Sequence, residues 1–342
     1  MRTARAPGRV TLIGDHTDYN EGLSLPMAID LATEATFTPE PGSFLVGLDS
    51  DQYPDSWEIL LGDTAPTAPD AVLAAALLTL ADPPSGGHIR VTSTLPVGAG
   101  LSSSAAFSIA LLLALGRPPD PMSLAQLNQK AESAAGSHVG LLDPLAIVDA
   151  RAGHALCIDF GTAALERHHV ALPERAAFVI VHSEASRELG LSPYALRRSE
   201  CDAAAHEIGR PLGHCVKTDL SVLTDPILRR RARHVVTECE RVREIERLLA
   251  ADDLPGVGAV KSDGHRSLRD DYRVSITEVD ELVDQLQRTP GVLGARMSGG
   301  GFGGCVIALC DQDSPALQPA TYAPRRAWRV NPSGGAHVVA ED

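Results

Sequence analysis

The sequence lacks cysteines at metal-ligand or redox spacing. Cys157, Cys201, Cys215, Cys239, Cys305 and Cys310 are scattered, with no C-x-x-C pair and no ligand-spaced histidine beside them. Neither a disulfide framework nor a zinc site is therefore expected, and reduced thiols are the default. An apolar leader is also missing: Met1-Arg2-Thr3-Ala4-Arg5-Ala6-Pro7 has no hydrophobic core, and the Ala-rich runs elsewhere are too short or too interrupted to span a bilayer. Positive charge is in deficit. Thirty Lys and Arg against 44 Asp and Glu leave a formal net charge of -14, which argues against nucleic acid or an anionic membrane as partner. The cluster Arg229-Arg230-Arg231-Ala232-Arg233 is read as a solvated helix face. There is no internal repeat, heptad or low-complexity tract. These absences leave a soluble cytoplasmic protein, monomeric or weakly dimeric, as the expectation.

What is present is enough apolar residue for a large core: 342 residues, 44% hydrophobic, predict two domains. The organising stretch is Pro96-Val97-Gly98-Ala99-Gly100-Leu101-Ser102-Ser103-Ser104-Ala105-Ala106. Ile89, Val91, Ser93 and Leu95 alternate with polar residues before it as a strand, and residues 105–115 form an apolar helical run behind it. Gly98 and Gly100 allow close backbone approach, and a helix N-terminus presents N–H groups and partial positive charge. Such a loop suits phosphate; a plain Ser N-cap on a core helix is the competing reading. Neither G-x-x-x-x-G-K-[ST] nor G-x-G-x-x-G is present. Three hydroxyls replace a loop lysine, so a metal ion would have to share the charge neutralisation.

Three further stretches bear on chemistry. A short strand over residues 10–13 gives way at Gly14 to Asp15-His16-Thr17-Asp18-Tyr19-Asn20, either a polar turn or a pocket for a polyhydroxylated ligand. Asp143 stands among Leu141, Leu142, Leu145 and Ile147; an acid in apolar surroundings needs a cation or works on a proton, unless it merely precedes Pro144 in a turn. Five glycines within residues 299–304 precede an apolar strand, either a bulged hairpin turn or a loop supporting the phosphate loop. Helices are also expected over 71–81, 124–135, 194–208 and 231–249, and one opened by a capping box at Ser275-Ile276-Thr277-Glu278. Strands are expected at 35–38, 44–46, 153–159 and 176–182, with loops at 62–69 and 160–175.

Together the three motifs resemble those of the superfamily of galactose, homoserine, mevalonate and phosphomevalonate kinases, and Gly8-Arg9-Val10-Thr11-Leu12-Ile13-Gly14-Asp15-His16-Thr17-Asp18-Tyr19-Asn20 is similar to the galactokinase signature. The resemblance implies an α+β, two-domain small-molecule kinase fold with the active site in the interdomain cleft, divided here as residues 1–165 and 166–342. It implies ATP and Mg²⁺, and transfer of phosphate to the anomeric hydroxyl of galactose. Arg9 and Asp143 match the catalytic pair; Asp15, His16, Asp18, Gly140 and Tyr194 match sugar contacts. Gly98, Ala99, Gly100, Leu101, Ser102, Ser103 and Ser104 match the ATP phosphate loop. Ser104 and Glu132 match the metal-associated positions, the spacer from Glu132 to Asp143 being one residue shorter than usual. Asp15, Thr11 and Pro144 stand where the family usually has Glu, Asn and Gln. Asp for Glu withdraws the carboxylate by about 1.5 Å, which with Pro144 leaves a kinase of another hexose or pentose as a rival reading; the resemblance also leaves a non-catalytic sugar-binding regulator, as some members of the superfamily are.

Overall fold

The computed structural model describes residues 1–52, 56–62, 69–118, 120–136, 140–185 and 191–341. In chain order the elements of the first half are β1 (Arg2–Ile13), β2 (Leu23–Pro39), β3 (Leu45–Ser50), β4 (Trp57–Leu60), α1 (Pro69–Ala81), β5 (Gly87–Ser93), α2 (Ser103–Ala114), α3 (Pro121–Ala134), α4 (Leu142–Val148), β6 (His154–Asp159) and β7 (Arg167–Ala171). The second half adds β8 (Ala176–His182), α5 (Leu191–Ile208), α6 (Pro226–Ala250), α7 (Leu254–Ser267), α8 (Thr277–Arg288), β9 (Val292–Ser298), β10 (Cys305–Asp311), β11 (Ala327–Val330) and β12 (His337–Glu341). Most of the loop expected at 62–69 lies outside the described residues.

Two sheets organise these elements. The larger runs β12-β1-β2-β5-β3-β4, with β6 on β2 and β7 on β6; the smaller runs β11-β8-β10-β9. Pairing is antiparallel except between β3 and β5. β1 and β2 are far longer than the short strands expected at 10–13 and 35–38. Every residue from Ala6 to Ile13 is buried, so this strand is covered on both faces and carries no alternation to read.

The division expected at residue 165 needs correction. It cuts between β6 and β7, which pair with each other, and the chain returns at its end to lay β12 on β1. The expected loop at 160–175 thus contains a strand of the first sheet. The two cores meet across the small sheet. One gathers α1, α2, the large sheet and one face of the small sheet, including Leu77, Ile109, Ile180 and Ile307; the other gathers α8 and the opposite face of the small sheet, including Val179, Val181, Leu282 and Ala308. α6 reaches both, with Ala232, Val235 and Val236 in the second and Val242, Ile245, Leu248 and Leu249 in the first. Its start is fixed by Pro226 at the first turn and by Asp225, whose side chain accepts from the Ile227 N–H at 2.7 Å.

Two local expectations fail for identifiable reasons. Ser275 does not cap α8, because its hydroxyl bonds Asp280 at 2.5 Å and the helix begins from Ile276. Within the basic cluster Arg231 is buried rather than solvated, bonded to Glu200 at 2.7 Å and to the Asp271 carbonyl at 2.5 Å.

Candidate active site

β1 meets the loop before α2 at Gly8, where an added Cβ would lie 2.4 Å from Leu95 and 2.8 Å from the Leu101 carbonyl. The strand register also shifts between Pro7 and Gly8, bending β1 against that loop. The next residue, Arg9, donates its backbone N–H to Leu101 O at 3.2 Å. Its guanidinium forks onto Asp143 in the first turn of α4, Nε to Oδ1 at 2.7 Å and Nη2 to Oδ2 at 2.6 Å, while Nη1 reaches the Gly100 carbonyl at 2.8 Å. A planar, permanently charged fork of this kind fixes a carboxylate in both position and plane.

The expected competing roles of Ser102 and Asp143 are decided by one bond. Ser102 donates its hydroxyl to Asp143 Oδ2 at 2.5 Å and makes no cap bond to α2. It sits at φ 61°, a left-handed conformation costly for a residue with a Cβ. Asp143 is no turn residue either, since Leu142–Val148 is helical.

On the other side of this pair opens a polar pocket of about 640 Å³. All seven catalytic and sugar-contact expectations (Arg9, Asp15, His16, Asp18, Gly140, Asp143 and Tyr194) line it, and Thr11, Leu142, Gly299 and Gly300 join them. His16, at φ 67°, bonds Tyr19 through Nδ1 at 3.0 Å, and the Tyr19 hydroxyl continues to Tyr272 at 2.6 Å. Tyr272 is delivered by a widened turn, residues 268–272, that prolongs α7. Burial, and then His234, push the His16 imidazole down to about 3, so the ring is neutral. Among the described residues its Nε2 has no hydrogen-bond partner, which leaves it for a ligand hydroxyl. Asp18 is pushed up to about 6 by burial and by Asp143; its Oδ2 would lie 2.6 Å from a Cβ at Gly140, so a side chain there would displace the acid.

Asp15 shows a cost of its position. Arg296 Nη2 donates to Oδ2 at 2.7 Å and the Gly299 N–H to Oδ1 at 2.9 Å. Burial still raises its carboxyl to about 6 against the pull of Arg296, with Glu238 adding to the rise. Arg296, fully buried, also pairs with Glu238 at 2.8 Å. Burial alone would raise Glu238, but Arg296 and Arg241 outweigh it and hold the acid at about 2. The glycine stretch is thus a hairpin connection between β9 and β10, and it supports the polar pocket through Gly299, with Gly300 on the wall.

A second cavity adjoins the same loop. Ser103 and Ser104 line it together with Trp57, Leu73, Val97 and Phe107. The three serines therefore divide: Ser102 turns toward Asp143, and its two successors face an apolar cavity of about 590 Å³. Glu132 is buried on α3 and does not appear among the residues lining either cavity. Residues that sequence reasoning missed are Ser102 as a partner of Asp143, and Arg296 and Glu238 beneath Asp15. No local pattern signals pairs so distant along the chain.

A Gly- and Ser-rich loop on a strand-to-helix turn, set between a polar and an apolar cavity in a two-sheet α+β fold, is the arrangement the sequence reading expects of a small-molecule kinase. Residues 70–150 match the GHMP kinases N terminal domain and residues 243–320 the GHMP kinases C terminal description; residues 2–39 match the galactokinase galactose-binding signature. Galactokinase of Mycobacterium tuberculosis is 39% identical over 326 residues, 90% of this chain and 88% of that protein. The galactokinase of Homo sapiens is 36% identical over 90% of this chain and 83% of its own length. The structure of Lactococcus lactis galactokinase complexed with galactose superposes with a TM-score of 0.89 at 27% identity, covering 98% of this chain and 94% of that one. Methanococcus jannaschii mevalonate kinase shares the fold, at a TM-score of 0.68 and 19% identity. The chain belongs to the galactokinase family.

Proposed function

We propose that this protein transfers the terminal phosphoryl group of ATP to the anomeric hydroxyl of galactose, giving galactose 1-phosphate and ADP. The observation that carries the reading is the Arg9–Asp143 fork at the wall shared by the polar pocket and the phosphate loop. The sugar occupies the polar pocket, where Asp18 accepts from sugar hydroxyls, the neutral His16 offers Nε2, and Tyr194 forms a flat wall. Asp15 takes part through the oxygen lone pairs that Arg296 and Gly299 leave open.

ATP lies across the loop from Gly98 to Ser104, its base toward Trp57 and Phe107. Asp143 accepts the proton of the attacking hydroxyl, and Arg9 steadies the charge that grows on the sugar oxygen. The loop N–H groups hold the phosphates in line. Ser104 on the loop would offer a hard oxygen donor of the kind Mg²⁺ takes, whereas Glu132, buried on α3 and lining neither cavity, would have to come nearer to share the ion. Bound with the nucleotide, the ion would neutralise charge on the β- and γ-phosphates. The six cysteines are buried and form no disulfide among the described residues, in keeping with a reducing setting.

The test is ADP release by the purified protein with Mg-ATP over a panel of hexoses and pentoses. Galactose giving the highest kcat/KM is the expected result. Another sugar outranking it transfers the assignment to that sugar, as the shortened acid at Asp15 would favour; no turnover with any sugar refutes the kinase.

A further inference from the structure

Away from both cavities, the β6–β7 hairpin meets the C-terminal half of α6. Cys157 on β6 and His168 on β7 are direct cross-strand partners. Glu246 on α6 brings its carboxylate to them, with His168 Nε2 and Glu246 Oε1 2.6 Å apart. One ligand atom from each of the three lies within 4.8 Å of the others, and no other such set converges among the described residues. We infer that Cys157, His168 and Glu246 form a binding site for a divalent transition metal of the zinc class, separate from the sugar and nucleotide sites.

The donors argue for that class of ion. Thiolate sulfur, imidazole nitrogen and carboxylate oxygen together are the borderline-soft set that Zn²⁺ takes, whereas Mg²⁺ wants oxygen alone. Three protein ligands leave the fourth tetrahedral position to water. Access and rigidity are both provided, since the His168 ring is exposed to solvent and Cys157 is buried in a paired strand. Asp159 and Arg243 are the remaining charged groups acting on the thiol, and their charges oppose each other. As the metal–sulfur bond forms, the thiol proton leaves to solvent, and the His168–Glu246 hydrogen bond gives way to two metal–ligand bonds.

The absence of ligand spacing hid this set from the sequence. Cys157 and His168 are brought together by strand register, and Glu246 comes from a helix far along the chain. Occupied, the site ties a hairpin of the larger sheet to the helix whose other half carries Glu238 under the sugar pocket, and it stabilises the folded state by an amount that grows with the logarithm of free metal above its Kd.

The experiment is a Co²⁺ titration of the full-length protein stripped of metal by chelator, followed by Zn²⁺ competition and thermal unfolding. Expected are a near-ultraviolet thiolate-to-cobalt absorption that Cys157→Ser abolishes, and a Zn²⁺ affinity that falls at least about tenfold in His168→Asn and Glu246→Gln. Zn²⁺ should raise the unfolding temperature of the parent protein and not of His168→Asn. Because His168 is exposed, that variant carries the test should Cys157→Ser fold poorly. Absence of the thiolate band, or equal Zn²⁺ affinity in His168→Asn and the parent, overturns the proposal and leaves the three side chains as a hydrogen-bonded tie. Neither result depends on the sugar assignment, since no readout is kinase turnover.

Discussion

Replacing Asp143 by Asn tests the proposed chemistry most directly. Both carboxylate oxygens are engaged, by Arg9 at 2.7 and 2.6 Å and by Ser102 at 2.5 Å. Asparagine keeps the shape but presents an NH₂ where Arg9 needs an acceptor. A hydrogen bond to a charged group contributes about 1.5–3 kcal/mol. The Asp143 side chain is 30% exposed, and with that screening the variant should lose about 1–2 kcal/mol of stability, leaving a folded enzyme. The rate effect is larger. Loss of a positioned general base costs about 10²–10⁴ in rate, about 3–5 kcal/mol of barrier. The assay is ADP release at saturating galactose and ATP, with sugar affinity measured separately by calorimetry. We expect kcat to fall at least about a hundredfold while galactose affinity stays within a few-fold. A variant retaining more than about a tenth of the parent kcat would refute a proton-accepting role for this residue, since that is outside the range such a role supplies.

Other outcomes follow from the same geometry. Arg296→Met leaves Asp15 and Glu238 as buried acids without their shared cation, and should cost about 3–5 kcal/mol in urea unfolding; an unchanged midpoint would show that the pairs are energetically idle. Ser102→Gly relieves the left-handed backbone at φ 61° but removes the hydroxyl from Asp143. Stability should then hold within about 1 kcal/mol and kcat should drop, with an undiminished kcat counting against the bond. Asp15 is raised from its usual 3.8 to about 6, so the folded protein binds its proton more tightly than the unfolded chain. Its contribution to stability is therefore greatest below pH 3.8 and falls as pH rises through 6, by at most about 3 kcal/mol. Glu238, held at about 2 against a usual 4.5, works the opposite way, stabilising above pH 4.5 and losing that contribution toward pH 2. Chemical unfolding across pH 4–7 should show a shallower pH slope in Asp15→Asn than in the parent protein, the remainder belonging to Asp18, which is raised into the same window. His16→Ala should raise the galactose KM, and an unchanged value would detach His16 from the sugar.

The site was easier to read in the sequence than the frame that holds it. Arg9, Asp15, His16 and Asp18 sit in one short string, and Asp143 stands out as an acid among leucines, so local chemistry marks them. The loop proposed to take phosphate is marked by its glycines and serines between an alternating strand and an apolar helix. The lengths of β1 and β2 were hidden because residues covered on both faces show no period. β7 escaped notice because its residues are half-exposed and carry Arg167, His168 and His169, a composition that reads as loop. Pairings such as Arg296 with Asp15, or Ser102 with Asp143, are products of tertiary placement. A sequence can name the partners but not join them.

The 25-residue helix α6 has apolar residues embedded in both cores. A rigid-body hinge between the two halves would have to shear that helix against one core or break it, exposing several of Val235, Val236, Val242 and Ile245 to water. Each such side chain is worth about 1.5–3 kcal/mol of burial, more than a substrate's binding can readily offset. The helix therefore acts as a splint between the two cores, and substitutions along it should register as changes in stability.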